Sequence, residues 1–331
     1  MSFWKKLAKP FFLLAPMADV TDPAFRRVIA KYGKPDAMWT EFVSGDGLIL
    51  APEEGRKKLL ADLQYSPEER PIVAQFFTGK PEIMEKVAAL AVQLGFDGVD
   101  INMGCPDKSI EKQKAGAALM KDPKRAKEII AAAVRGGAGL PVSVKTRIGY
   151  NKDELDSWLP YLLETDLAVI TFHARTRKEM SSVPAHWDRV TRAVDLRDKL
   201  NPKVLILGNG DVKDLAEAGE KVAETGADGI MLGRAIFGNP FLFSSLRKEK
   251  RPERPEGVEG PSIEERLKVM VEHTKLFEKL LPHKNFAIMK KHYKAYVNGF
   301  PGAAELRGKL METVNAEEVK VIINDFVLHS P

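Results

Sequence analysis

Short apolar runs punctuate the chain at intervals close to one strand-and-helix unit, about 30 residues. They are FFLLAPMA at 11–18, DAMWTEFV at 36–43, PIVAQFF at 71–77, DGVDINMG at 97–104, LPVSVKTR at 140–147, LAVITFHA at 167–174, KVLILGNG at 203–210 and DGIMLGRA at 228–235. Pro, Gly or Asp bounds each run, and most are near-continuous rather than alternating. Such runs belong to parallel strands covered on both faces. Helical periods lie between them. Pro81-Glu82 opens one that closes at Gly95, Asp122-Pro123 opens one that closes at Gly136, and a third spans 211–225 before Gly226. Proline at the start and glycine past the end are the expected punctuation. Eight strands alternating with helices predict an α/β fold, the TIM (β/α)8 barrel, for which about 240 residues is an ordinary length. An open doubly wound sheet usually has fewer strands, and no G-x-G-x-x-G follows the first run.

The texture changes after Phe243. RKEKRPERPEGVEGP is charged and rich in Pro and Gly, as linkers are. Helical periods then resume at 262–281, 285–297 and 316–328. The expected organisation is a barrel over 1–245, a linker over 246–260 and a small all-α helical domain over 261–331. With 44% apolar and 29% charged residues, the chain of 331 residues has the composition of a folded globular protein. Its formal charge of +5 permits a polyanionic partner without demanding one. The single cysteine excludes an internal disulfide framework and a multi-cysteine metal site, and no metal is expected. The opening, MSFWKKLAKPFFLLAPMADV, imitates a leader, but Pro16 and Asp19 break its apolar run and Thr21-Asp22-Pro23 opens a helix. It reads as a core strand. No run approaches the roughly 20 apolar residues of a membrane span. A cytoplasmic monomer without membrane contact is the expectation.

In such barrels the carboxyl ends of the strands carry the function. Those ends read Asp19, Glu41, Gln75, Asn102 with Cys105, Lys145 with Arg147, His173 with Arg175, Asn209 with Asp211, and Gly233 with Arg234. Strands seven and eight are where TIM barrels commonly hold a phosphate, and Asn209-Gly210-Asp211 and Gly233-Arg234 end them. Lys145 brings a fixed cation to the mouth, suited to the negative pyrimidine side of a reduced flavin or to a buried ion pair. His173 heads HARTR, and Arg175 and Arg177 follow at alternate positions on its face. Either arginine suits a phosphate, a carbonyl-rich base or a surface carboxylate. No second ligand at metal spacing accompanies His173. Cys105 in NMGCP, between Gly104 and Pro106, is a workable proton donor at neutral pH.

On these residues the chain resembles the tRNA-dihydrouridine synthases. The likeness runs through APMADVTDPAFR (15–26), TEFVS (40–44), Gln75, DINMGCP (100–106), GAALM (116–120), VKTRIG (144–149), HARTR (173–177), NGD (209–211) and GRAIFGNPFLF (233–243). It continues as KKHYKAYVNGFPGAAELR (290–307). The resemblance implies an FMN-bearing barrel, a helical tRNA-binding domain, and NADPH-dependent reduction of the 5,6 double bond of selected uridines in tRNA. By matching position it implies that Pro16, Met17 and Ala18 line the flavin. Gln75, Lys145 and His173 would hold its ring system, and Asn209, Gly210, Asp211, Gly233 and Arg234 its ribityl phosphate end. Cys105 would be the general acid, with Asn102 and Arg175 facing the uracil. The loop SVPAHW at 182–187 departs from the family's Ser-Gly-Pro-Ala-Asp-Trp-like run.

The second domain suits a nucleic acid. Lys290, Lys291 and Lys294 lie at helical spacings around His292, Tyr293 and Tyr296, a basic face with aromatics for phosphates and unstacked bases. Lys284, Arg307 and Lys309 add charge, with Glu305 the only acid from 284 to 309. Two alternatives stand beside this reading. One is a flavin barrel acting on free pyrimidines, like dihydroorotate dehydrogenase, which lacks the appended basic domain. The other is an RNA-binding flavoprotein whose barrel does not catalyse.

Overall fold

The computed structural model describes residues 2–246 and 261–329. Its centre is one parallel sheet of β1 (Phe11–Leu14), β2 (Met38–Ser44), β3 (Ile72–Phe77), β4 (Gly98–Asn102), β5 (Val142–Arg147), β6 (Val169–His173), β7 (Leu205–Asn209) and β8 (Gly229–Leu232). The hydrogen-bonded order is β1-β8-β7-β6-β5-β4-β3-β2, so the last strand returns to the first. Asp36 links β1 to the start of β2. Its N–H donates to the Phe12 carbonyl at 3.0 Å, and its carboxylate accepts from the Phe12 N–H at 2.8 Å. This is the (β/α)8 barrel that the periodicity predicts. Positions in β3, β4 and β8 are buried throughout, which is why those runs are continuous in sequence. Trp4, in a short turn over Phe3–Lys6, packs on Phe11 and Trp39 beneath the strand starts.

Helix starts follow the local chemistry. Asp22 caps the Pro23–Tyr32 helix by accepting from the Phe25 N–H at 2.9 Å. Helices Pro81–Gln93 and Pro123–Gly137 begin at their prolines. The third predicted helix starts later than 211. It spans Leu215–Thr225 with Asp214 as its cap, because Asp211 adopts a left-handed φ of 57° in the loop after β7.

Beyond the barrel lie helices Ile263–Leu280, Ile288–Tyr296, Ala303–Glu312 and Ala316–His329. The Ala303–Glu312 helix was not predicted, since Gly299, Pro301 and Gly302 crowd its start. Leu267, Met270, Phe277, Tyr293 and Leu306 pack with Ala24 and Val28 of the Pro23–Tyr32 helix. The helical unit therefore sits on the first helix of the barrel. Of the expected linker over 246–260, only Leu246 is described, at the end of a short turn; the rest lies outside the described residues. Among the described residues no helix is long and apolar enough to cross a membrane.

Register sets which side chains share a level at the barrel mouth. Gln75 pairs with Asp100, and Asn102 with Lys145. Arg147 pairs with His173, which pairs in turn with Asn209.

Candidate active site

A cavity of about 340 Å³ opens at the carboxyl ends of the strands. Pro16, Met17, Gln75, Asn102, Cys105, Lys145, His173, Arg175, Asn209, Gly210, Asp211, Gly233 and Arg234 all line it. Ala18 is exposed and lies outside the lining. Arg177 also lies outside, its guanidinium bound to Glu111 at 2.6 Å. Phe42, Met180 and Ser181 join the wall without having been singled out, and Arg147, named only as a strand-end residue with no role given, joins it too. Arg147 was legible as the partner of Lys145 two residues along β5. Met180 and Ser181 sit on a loop with no sequence signal.

The floor is a chain of hydrogen bonds. Buried Asp100 accepts from the Gln75 amide and the Ser143 hydroxyl, and burial pushes its carboxyl up to about 6. The Gln75 carbonyl accepts from the Asn102 amide at 3.2 Å. The Asn102 carbonyl accepts from the Cys105 N–H at 2.9 Å and the Gly104 N–H at 3.2 Å. Asn102 thus uses its acceptor on the cysteine loop. From the other side Arg147 donates to the carbonyls of Gly104, Thr176 and Met180, tying the β4 and β6 loops together. Gly116, at a left-handed φ of 60°, lies under the same loop. A Cβ there would stand 2.8 Å from the Cys105 carbonyl oxygen. The GAALM segment is thereby a support for Cys105. Burial raises the Cys105 thiol above its ordinary range, so it carries its proton at neutral pH.

Cations crowd the mouth. Burial and the neighbouring Arg147 lower the Lys145 ammonium to about 8, and it donates to the Asn209 carbonyl at 3.1 Å. Burial, then Lys145, Arg147 and Arg175, hold His173 well below its ordinary range. The ring is neutral. Arg175 lies 3.0 Å from Nε2, and a guanidinium only donates, so the ring proton sits on Nδ1. Arg175 is buried and also donates to the Val183 carbonyl at 2.6 Å and to Asp211. Arg234, largely exposed, reaches the other Asp211 oxygen at 2.7 Å. Asp211 is a clamp between two arginines, and its hydrogen bond from Arg175 keeps it ionised.

The β7 and β8 ends test the phosphate reading. Among the described residues, the N–H groups of Gly210, Asp211, Gly233 and Arg234 find no acceptor in the chain. A Cβ on Gly233 would make only ordinary van der Waals contact, 3.7 Å from Met17 Sδ and 3.8 Å from Ala15 Cβ, so the backbone there is not crowded. Unpaired amides beside an arginine fit an anion.

The basic helix needs a correction. His292, Tyr293 and Tyr296 are buried in the helical core, because their spacing points them at Phe25 and His273. They are not a stacking platform. Lys291 and Lys294 are exposed and Lys290 is half-buried. Lys284 is not on that face either. It forms ion pairs with Glu41 at 2.9 Å and Asp62 at 3.0 Å.

The fold and the mouth together define an enzyme-type (β/α)8 barrel with a polar cavity at the carboxyl end of its strands. Among solved structures, morphinone reductase matches with a TM-score of 0.53 at 13% identity, covering 76% of this chain and 89% of that one. Histamine dehydrogenase from Rhizobium sp. 4-9 matches with a TM-score of 0.54 at 11% identity, covering 80% of this chain and 48% of that one. These likenesses establish the fold. The sequence goes further. The family model described as dihydrouridine synthase matches residues 13–328. "Probable tRNA-dihydrouridine synthase 2" of Bacillus subtilis (strain 168) is 41% identical over 332 residues, 98% of this chain and 96% of that protein. "Probable tRNA-dihydrouridine synthase" of Staphylococcus aureus (strain MRSA252) is 39% identical over 328 residues, 98% of this chain and 95% of that protein. The chain belongs to the dihydrouridine synthase family.

Proposed function

We propose that this protein is a tRNA-dihydrouridine synthase that reduces the 5,6 double bond of selected uridines, with FMN as resident cofactor and NADPH as reductant. One observation carries the reading: a single cavity holds both a protonated thiol on a braced loop and a set of unpaired amides beside Arg234. FMN, when bound and reduced, would supply a hydride for carbon 6 of uracil, and NADPH would replace it.

The chain's own residues do the rest. Gly210, Asp211, Gly233 and Arg234 hold the phosphate through N–H groups, with the Arg234 side chain adding charge. Lys145, the His173 Nδ1–H and the free hydrogen of the Gln75 amide meet the polar edge of the ring. Pro16 and Met17 form its apolar wall. Cys105 gives the proton to carbon 5 of uracil, while Asn102 and Arg147 hold its loop still. Preorganised donors of this kind cost no rearrangement at the moment of reaction. The target uridine must leave its stack, a cost of a few kcal/mol offset by protein–phosphate contacts. Lys291 and Lys294, with Lys290 beside them, supply such contacts to tRNA phosphates from the helical domain, 261–331, while the barrel domain, 1–245, carries the reaction. One cytoplasmic chain holds the whole site and acts as a monomer.

Cys105→Ala tests the assignment. The variant should stay yellow and keep oxidising NADPH, while dihydrouridine formation falls by roughly 10²–10⁴-fold, the usual worth of a general acid. A wild-type protein that takes up no FMN on titration refutes the flavin reading. Equal loss in both half-reactions refutes the role of Cys105.

A further inference from the structure

The loop between β1 and the Pro23–Tyr32 helix supplies Pro16 and Met17 to the cavity wall. Most of it is held by its own bonds. Val20 and Thr21 donate to the Met17 carbonyl at 3.1 and 3.0 Å, and Met17 donates to the Thr21 hydroxyl at 3.0 Å. Asp19 is the exception. It is a non-glycine residue at a left-handed φ of 53°. Such a conformation is uncommon for a residue with a Cβ and is held in place by its surroundings. Its N–H donates to one oxygen of Glu41. Glu41 lies in β2 and is buried.

The other Glu41 oxygen accepts from the Lys284 ammonium at 2.9 Å. Lys284 comes from outside the barrel, on the connection between helices Ile263–Leu280 and Ile288–Tyr296. That connection is ordered by its own hydrogen bonds. The Lys284 N–H donates to the Leu281 carbonyl at 2.9 Å, and the Asn285 side chain accepts from the Ala287 N–H at 2.8 Å. Lys284 also meets Asp62 at 3.0 Å, and its side chain is only 12% exposed. With two carboxylates on it, the ammonium is not free for a tRNA phosphate. Removing it would leave Glu41 buried without its cation, which costs more than losing an exposed pair.

We propose that Lys284 is a positioning residue for the reduction: through Glu41 it holds Asp19, and so couples the seating of the helical domain to the β1 loop that walls the cofactor side of the cavity. The inference rests on the flavin reading above for its functional meaning. It differs from a phosphate contact in what it moves. Lys284 acts on the cofactor pocket from the helical domain, whereas the exposed lysines of the Ile288–Tyr296 helix act on tRNA.

The full-length Lys284→Met variant tests this with two readouts. Amide hydrogen exchange over 15–22 should accelerate in the cofactor-free protein. FMN should bind about tenfold more weakly by fluorescence titration, mid-range for side chains coupled in one network. Glu41→Gln should act in the same direction, and the double variant should lose no more than either single one. Lys284→Arg should restore most of the affinity. The salt slope of tRNA binding should stay as in wild type. Wild-type exchange and FMN affinity in Lys284→Met would overturn the coupling, as would a shallower salt slope alone. If Lys284→Met fails to unfold cooperatively, Glu41→Gln, which keeps the side-chain volume, decides by the same two readouts. If wild-type protein takes up no FMN, the flavin reading falls, and the exchange comparison still decides whether Lys284 holds the loop.

Discussion

Gly116→Ala separates the cysteine loop from the cofactor pocket. Gly116 has φ of 60°, and an alanine Cβ there would stand 2.8 Å from the Cys105 carbonyl oxygen and 2.9 Å from Ile110 Cγ2. The Cys105 oxygen already accepts from the Ala117 N–H at 2.9 Å, so both partners of that bond must shift. The left-handed backbone alone costs about 1–2 kcal/mol once a Cβ is present. Gly139 provides the matched control, with φ of 94° and nothing within 4 Å of its Cβ position. Gly139→Ala should lose about 1 kcal/mol of stability and keep full activity. Gly116→Ala should lose at least as much stability, and it should also displace the thiol. A misplacement of about 1 Å can cost roughly 10²-fold in rate. The assay is single-turnover reoxidation of NADPH-reduced enzyme by tRNA, followed at the flavin absorbance, beside the single-turnover reduction of the oxidised flavin by NADPH. Expected is a reoxidation rate down by about 10²-fold with flavin reduction by NADPH unchanged. Full reoxidation in Gly116→Ala would refute the claim that this glycine braces the proton donor. Parallel loss in Gly139→Ala would trace the effect to stability.

Three further outcomes follow from the geometry. Arg234→Ala should weaken FMN binding by roughly 10-fold or more, the worth of a charge-assisted hydrogen bond, and slow the flavin-saturated enzyme less; an unchanged FMN titration refutes it. Changing Lys290, Lys291 and Lys294 together to Gln should reduce the log–log salt slope of tRNA binding by roughly 0.7–0.9 for each phosphate no longer neutralised, with flavin content intact; a normal slope would move the tRNA to another surface. Asp22, buried beside Glu41, has its carboxyl raised to about 7, so the fold favours its protonated form. Asp22's own contribution to stability therefore falls as pH rises from about 4 to about 7, and Asp22→Asn, which keeps the capping oxygen, should gain on wild type by up to about 3 kcal/mol between pH 5 and 8; equal urea midpoint differences at both pH values would refute it.

The barrel was legible because its strands are buried on both faces, which writes continuous apolar runs into the sequence. The strand ends were legible for the same reason: polar residues there interrupt the apolar run. What single positions do at those ends was less so. Asn102 reads as a substrate contact from its place in the motif, yet its acceptor lies on the Gly104 and Cys105 N–H groups. Arg177 alternates with Arg175 in sequence, but β6 ends at His173 and Arg177 pairs with Glu111, across a gap of 66 residues that no local pattern reports. The basic helix misleads because Tyr293 and Tyr296 have the same spacing whether a helix faces solvent or a core. Lys284 is the sharpest case. In sequence it extends a basic run; in the fold it is an internal cation for Glu41 and Asp62.

The electrostatics of the mouth bear on the role proposed for Cys105. Lys145 and Arg147 both pull its thiol toward ionisation, and in a wetter site two such cations would yield a nucleophilic thiolate. Burial outweighs them and raises the thiol instead. The same burial lowers Lys145 to about 8 and Arg147 to about 10, so the cations feel the low-polarity surroundings too. Lys145 and Arg147 remain charged at neutral pH, and His173 stays neutral beside them. The mouth therefore offers excess positive charge together with a thiol that keeps its proton. That combination favours a reaction in which negative charge builds on the ligand and is then quenched by protonation. It disfavours attack by sulfur, which would need the thiolate first. A general acid, and not a nucleophile, is the role that this disposition of charge supports for Cys105.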